Sequence, residues 1–276
     1  MGLAKLLLRV FVLLLKREFV SYNEVASDYN KVAKKYDELF RKEMDIYVKQ
    51  MVENIPLRGG ESIFDLGCGT GAVIDALLKR EKEVKITGVD ISTGMIEKVK
   101  RENVEIYRDE MIHFLKNVED DSVDVITAAW SLSYAPHKDF LREAKRVLRE
   151  GGRVAVIINT KETLKETKRA FIQALKRDEK MMVKWMRIYL PKNAESFGKL
   201  MSRYGIKPIF MKDDAKTFHF ESGSDALSFV LSTGALAGYA RCFAEGFENV
   251  VAQFHPSYAT HRFCIVVGVK ESKKRF

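Results

Sequence analysis

Between residues 62 and 158 the chain alternates short, mainly apolar runs with amphipathic stretches. The runs 62–66, 84–89, 104–107, 123–128 and 153–158 read as strands, because continuous apolar runs of this length suit strands covered on both faces. The stretches 72–79, 93–101 and 139–149 carry apolar residues at helical spacing, and the last ends at Gly151-Gly152, a C-cap signal. Strands alternating with helices predict a parallel sheet with helices on both faces. Upstream, 21–54 reads as helical, with Tyr22, Tyr29 and Tyr36 at seven-residue spacing. Downstream the rhythm changes. A charged helical stretch over 161–190 is broken at Pro191, and a helix follows over 194–204. Strands are expected over 206–211 and 217–220. Residues 226–254 read as mostly helical with glycine interruptions, and 262–269 as a final strand.

Residues 1–19 form a separate pattern, MGLAKLLLRVFVLLLKREF. The uncharged run 10–15 is far short of the ~20 residues that span a bilayer. Arg9, Lys16, Arg17 and the lack of a small-residue cleavage site argue against a signal peptide. At 100° per residue, Lys5, Arg9 and Lys16 share one stripe and Leu and Val fill the rest. Such a helix packs in a protein groove or lies in a membrane interface with its basic residues at the headgroups. The pattern leaves both open.

Length and composition narrow the class. A chain of 276 residues, 46% hydrophobic and 31% charged, is long enough to bury a full core and is globular in type. Its three cysteines, Cys68, Cys242 and Cys264, form no C-x-x-C pair, so neither a disulfide framework nor a zinc site is expected, and a cytoplasmic setting fits. Abundant Lys, Arg and Glu with little Gln resemble a heat-adapted composition. The net charge of +9 divides unevenly, with +3 over 1–60, −3 over 61–158 and +9 over 159–276. A basic C-terminal part can attract an anionic substrate, nucleic acid or lipid headgroups, or be a set of solvated helices.

The candidate chemistry lies in Phe64-Asp65-Leu66-Gly67-Cys68-Gly69-Thr70-Gly71-Ala72. A strand precedes this turn and a helix follows it. A second strand ends in Asp90, nineteen positions after Gly71, a spacing that suits an acid on a pair of ribose hydroxyls. Glycines let the backbone approach a ligand closely. The spacing D-x-G-x-G-x-G differs from a dinucleotide fingerprint. An acid at that mouth is awkward for a pyrophosphate and suits a ligand bearing an ammonium or sulfonium. No G-K-[ST] follows, so the turn is not a P-loop.

These residues resemble the class I S-adenosylmethionine-dependent methyltransferases, of the type that includes ubiquinone- and menaquinone-biosynthesis enzymes. The resemblance covers roughly residues 20–158. It implies a Rossmann-like α/β fold with a seven-stranded, mostly parallel sheet, the last strand antiparallel, helices on both faces and a helical cap insertion. An amphipathic N-terminal helix (1–20) then precedes a single domain (21–276). That domain comprises a helical lead-in (21–60), a cofactor-binding core (61–158), a helical cap region (159–204) and closing strands and helices (205–276).

The resemblance also implies roles. Asp65 and the backbone of Gly67, Cys68 and Gly69, with Gly71 completing the turn, hold the amino-acid end of S-adenosylmethionine. Asp90 takes the ribose hydroxyls and Ile91 packs on the adenine. Asp109 accepts from the adenine amino group, with Glu110 or Met111 beside the ring. Ala129 and Trp130, within the segment 128–134, line the methionine end, though Trp130 also reads as a core residue. Tyr36, in a Y-x-x-x-A-x-x-Y-D pattern, reaches the cofactor carboxylate. Leu148-Arg149-Glu150-Gly151-Gly152-Arg153 matches the family's turn into the fifth strand.

The implied reaction is in-line displacement of the methyl group, needing neither metal nor covalent residue. Tyr134 and His137 are the catalytic candidates should the acceptor need a base. His219, His255 and His261 read as satisfied residues of the C-terminal part. No [DN]-P-P-[YFW] or Pro-Cys pair points to base methylation. The expected acceptor is a small molecule, hydrophobic or lipid-like if Met181, Met182, Trp185 and Met186 line its pocket rather than pack on the domain. Two alternatives stand beside it: an RNA-directed methyltransferase using the basic C-terminal region, and a non-catalytic S-adenosylmethionine-binding protein.

Overall fold

A computed structural model of the chain describes residues 2–101 and 103–272. The basic tail expected over 271–276 therefore lies mostly outside the described residues. By packing, the chain forms two units that interleave in sequence: a sheet unit of residues 40–161, 188–214 and 262–272, and a helical unit of residues 2–39, 162–187 and 215–261.

The strands are β1 (Ser62–Leu66), β2 (Lys85–Asp90), β3 (Val104–Arg108), β4 (Val123–Ala129), β5 (Leu148–Asn159), β6 (Ile206–His219) and β7 (Tyr258–Lys270). They form one sheet in the order β3-β2-β1-β4-β5-β7-β6. β1 to β5 pair in parallel, and β7 runs antiparallel to β5, from Arg153 opposite Val269 to Asn159 opposite Phe263. The expected seven-stranded sheet is therefore present. β1 lies between β2 and β4, so the strand order reverses at its C-terminal end, where open α/β sheets bind ligands.

On one face of the sheet unit, α6 (Met111–Lys116), α7 (His137–Val147) and α9 (Ala194–Arg203) bury Leu115, Phe140, Leu141 and Phe197 against Leu66, Ile126 and Val154. α3 (Lys42–Glu53) packs on α4 (Ala72–Arg80) and on β5. Apolar residues at helical spacing drive this burial.

In the helical unit, α1 (Gly2–Leu15) buries Leu6 and Leu13 and packs against α8 (Lys165–Arg177). α2 (Tyr22–Tyr36) opens on a capping box between Ser21 and Glu24. Lys184 and Arg241 tie α2 down through Glu24 and Asp28, at 2.6 and 2.7 Å. α10 (Gly223–Ser232) and α11 (Phe247–Ala252) complete the unit. Met182 and Met186 are buried in it, which is the packing alternative for these methionines. His255 is satisfied as expected: its Nδ1 donates to the Pro256 carbonyl (2.8 Å) and its Nε2 accepts from Thr167 (2.7 Å).

Several elements differ from expectation. The helix over 93–101 shrinks to α5 (Thr93–Ile96), capped by Ser92. Gly151 and Gly152 do not cap a helix. They lie inside β5, where the register against β4 shifts between Val123 and Val125. The two strands expected over 206–220 are one, because β6 alternates half-buried and exposed residues straight through the charged stretch 212–216. The helical stretch over 161–190 ends at Arg177, and the glycines after Ser232 limit helix to short pieces.

Candidate active site

After Asp65 and Leu66 the chain turns through five residues into α4. Gly67, Gly69 and Gly71 all take left-handed φ values, of 73°, 53° and 91°, a region that costs a residue with a side chain about 1–2 kcal/mol. The turn is held to the end of β2. The amides of Gly67 and Cys68 donate to the Val89 carbonyl at 2.7 and 3.0 Å. The amides of Gly69 and Ser92 donate to the two carboxylate oxygens of Asp90, each at 2.9 Å. Asp90 is thus fixed at the mouth with lone pairs to spare. Burial pushes its pKa up, against those hydrogen bonds. Cys68 contributes backbone: burial pushes its thiol well above the usual range.

Asp65 is buried, and the register of β1 on β4 sets Thr127 opposite it. The Thr127 hydroxyl donates to Asp65 Oδ1 at 2.8 Å, whereas Oδ2 is buried without a partner. Burial lifts this carboxyl to about 7. The Thr127 hydrogen bond opposes the rise and the charge of Asp90 adds to it. A buried, half-satisfied carboxylate beside a second acid is costly, and a cation at its bare oxygen relieves that cost. The backbone beside it is approachable. A Cβ at Gly69 would meet no atom within 4 Å, whereas one at Gly67 would run into the side chain of Ser131.

The end of β4 forms the next wall. Trp130 has φ 56°, left-handed for a non-glycine residue, and its amide donates to the Ile157 carbonyl at 2.7 Å. Such strain gathers at functional sites. Its ring meets Phe40 and Phe263 edge-on, with centroids 5.5 and 5.7 Å away, which is the core reading of Trp130. Its Nε1 is buried without a partner, as are Ser133 Oγ, His137 Nε2 and Asn159 Oδ1. With Asp65 Oδ2 these atoms stand at or just beyond the C-terminal ends of β1, β4 and β5. Buried polar atoms left unpaired are rare, and a cluster of them at the sheet's ligand-binding edge marks a site.

His137 opens α7, its ring edge-on to Phe197 at 5.3 Å. Burial lowers its pKa to about 4, partly offset by a hydrogen bond to the Tyr189 backbone. Tyr134 ends the short turn Leu132–Tyr134 that precedes it.

Of the predicted residues, Asp65, Gly67, Cys68, Gly69, Gly71, Asp90, Ile91, Ala129 and Trp130 gather at this edge of the sheet unit. Asp109, Glu110 and Met111 follow β3 and are engaged in opening α6. Asp109 accepts from the Glu110 amide (2.7 Å) and faces His113 Nδ1 (2.8 Å). Glu110 caps the amides of Ile112 and His113, and Met111 is buried in the core. Tyr36 ends α2, in the helical unit. Sequence reasoning missed Thr127 and Asn159. Thr127 stands as a lone hydroxyl in the apolar run of β4, and only the register reveals its partner.

Residues 64–156 match a family model described as a methyltransferase domain. A 27-O-demethylrifamycin SV methyltransferase of Amycolatopsis mediterranei is 33% identical over 109 residues, 37% of this chain and 40% of that protein. The chain spans two-fifths or less of the relatives that match it above 30% identity. A demethylmenaquinone methyltransferase of Staphylococcus aureus is 26% identical over 215 residues, 76% of this chain and 80% of its own. Among solved structures, the geranyl diphosphate C-methyltransferase of Streptomyces coelicolor superposes with a TM-score of 0.53 at 15% identity, covering 86% of this chain and 83% of that one. That likeness speaks for the fold. The matched segment is the one that holds the glycine turn, both acids and β4, so it is over this part of the sheet unit that the chain is similar to methyltransferase domains.

Proposed function

We propose that the protein transfers the methyl group of S-adenosylmethionine to a small, hydrophobic acceptor. The observation that carries this reading is the bare, buried Oδ2 of Asp65 at the mouth of the glycine turn. A cationic amino group is the partner that such an oxygen calls for. The other residues fit as well. Asp90 keeps lone pairs for a pair of hydroxyls, and the open backbone at Gly69 leaves room for close approach. When bound, S-adenosylmethionine supplies a methyl group already activated on a sulfonium. The chain's own residues then have to orient and exclude water. Trp130, Phe40 and Phe263 give that edge an aromatic wall. His137, with a pKa near 4, is neutral in the working range. So weak a base suits orienting an acceptor hydroxyl through Nε2 better than removing its proton.

Two observations support a hydrophobic acceptor. The proteins named above include ones named for a demethylmenaquinone and for geranyl diphosphate, each of which carries an apolar isoprenoid chain. The helical unit also holds an apolar cavity of about 440 Å³, lined by Phe171, Leu231, Phe243 and Phe247 with Lys31 and Glu248 as charged neighbours. Its size and lining suit a small apolar molecule with one polar end. Part of the basic excess of residues 159–276 is offset by acids from earlier in the chain, since Lys184, Arg241 and Lys270 lie against Glu24, Asp28 and Asp121.

The test is incubation of the protein with methyl-labelled S-adenosylmethionine and a cell extract containing lipids. Label is expected in the organic phase, and Leu231→Trp, which fills the cavity, is expected to slow that labelling severalfold while cofactor affinity stays unchanged. Label confined to RNA or protein would contradict the acceptor class, and undiminished labelling by the variant would contradict the cavity's part in it.

A further inference from the structure

A helix lying on the surface of a protein in water turns its apolar stripe inward and its polar residues outward. α1 does something else. Its inward face is supplied by Leu6 and Leu13, and Arg9 donates to the Met182 carbonyl at 2.7 Å. The stripe of basic residues expected from the sequence is thereby split, with Arg9 turned in. Leu3, Leu7, Leu8, Phe11, Leu14 and Leu15 point away from the unit, 41–67% exposed. They follow one another at helical spacing along one face. Together they present on the order of 500–600 Å² of apolar surface, the upper end of what a soluble monomer shows as one patch.

The charges on the helix itself have one sign. Residues 2–17 contain Lys5, Arg9, Lys16 and Arg17 and no acid, and Lys5, Lys16 and Arg17 are exposed. Lys16 and Arg17 follow the C-terminal end of the stripe, and the backbone of Lys176, itself an exposed basic residue, lies against Gly2 at the other end. Glu18, Asp178 and Glu179 are the acids nearest in sequence to these groups, so the balance at the two ends remains positive. At 1.5 Å per residue the helix is about 21 Å long, enough to lie in an interface and too short to cross one. No helix of the described residues is long and apolar enough to span a membrane.

We infer that the outward face of α1 is a docking surface for an anionic lipid bilayer, its leucines and Phe11 entering the acyl boundary and Lys5, Lys16, Arg17 and Lys176 meeting the headgroups. An apolar face with a net positive border matches that surface in both hydrophobicity and charge. The inference is independent of which acceptor is methylated.

Co-sedimentation of the full chain with vesicles tests it. Vesicles of phosphatidylcholine alone are compared with vesicles of phosphatidylcholine mixed equally with phosphatidylglycerol. The wild type is expected to pellet with the mixed vesicles and far less with the neutral ones, and added salt is expected to weaken binding. Leu8→Glu/Phe11→Glu is expected to lower partitioning at least about tenfold, and Lys5→Glu/Lys16→Glu to remove the preference for anionic lipid. All these positions are exposed, so unchanged thermal melts and cofactor binding show that the variants fold. Failure of the wild type to pellet with either vesicle, or equal pelleting of the Leu8→Glu/Phe11→Glu variant, would overturn the inference. So would a dimer in sedimentation velocity that this variant splits while no vesicle is bound, since a second copy would then be the occupant.

Discussion

Asp65, Gly67 and Gly69 show how little chemistry the glycine turn needs beyond its shape. Gly67 and Gly69 share a left-handed backbone, but their surroundings differ: one faces Ser131, the other faces open space. Alanine at either position pays about 1–2 kcal/mol for its conformation. Only at Gly67 does it also collide with a neighbour. Gly69→Ala is therefore expected to melt within a few degrees of wild type yet bind cofactor more weakly, because its methyl group stands where the ligand must approach. Gly67→Ala is expected to lose more stability. Thermal melts with and without cofactor separate the two, and equal destabilisation by both would contradict the account of the turn. These glycines and both acids were legible in the sequence because their spacing is local. Thr127 was not, because a hydrogen bond across sixty-two residues follows from strand register and not from neighbourhood, and Asn159 was not, because its place beside β4 follows from the strand order.

At the scale of elements, the five parallel strands were legible because each is a short apolar run, and the strands beyond residue 200 were less so. β6 alternates half-buried with exposed residues at the sheet's edge, and its charged middle reads as a turn. Gly151 and Gly152 carry the chemistry of a helix cap but serve a register shift in β5. One element pairing makes a sharp prediction. Glu61, which precedes β1, and Arg153 on β5 form a buried ion pair, and burial lowers the Arg153 pKa, with Arg58 adding to the shift. Removing one member leaves an uncompensated buried charge, at a cost of about 3–5 kcal/mol, whereas replacing both by apolar residues is often close to neutral. Urea unfolding is expected to show a large loss for Arg153→Met and recovery of most of it in Glu61→Leu/Arg153→Met. A double variant as unstable as the single one would show that packing rather than charge is at stake.

For the whole molecule, the expectation was a single domain with a helical cap region over 159–204, and by packing the chain groups into two units that interleave in sequence. α9 belongs to the sheet unit, while α1 and α2 join α8, α10 and α11. Such grouping depends on which apolar faces meet across long stretches of sequence, which no periodicity records. The proposed methylation depends in the end on the sheet unit accepting a cationic nucleoside at Asp65. With a carboxyl lifted to about 7 before binding, the group is largely protonated at about pH 6, and an ammonium beside it favours the ionised form. Binding must then release a proton, and affinity must rise with pH until about 7, by at most tenfold per unit. The most direct measurement is calorimetric titration with S-adenosylhomocysteine, which carries the same amino-acid end, near pH 6 in buffers of different ionisation enthalpy. Wild type is expected to release close to one proton, and Asp65→Asn to bind more weakly with no proton release and no pH slope. Binding by Asp65→Asn as tight as wild type, with the same proton release, would contradict the account.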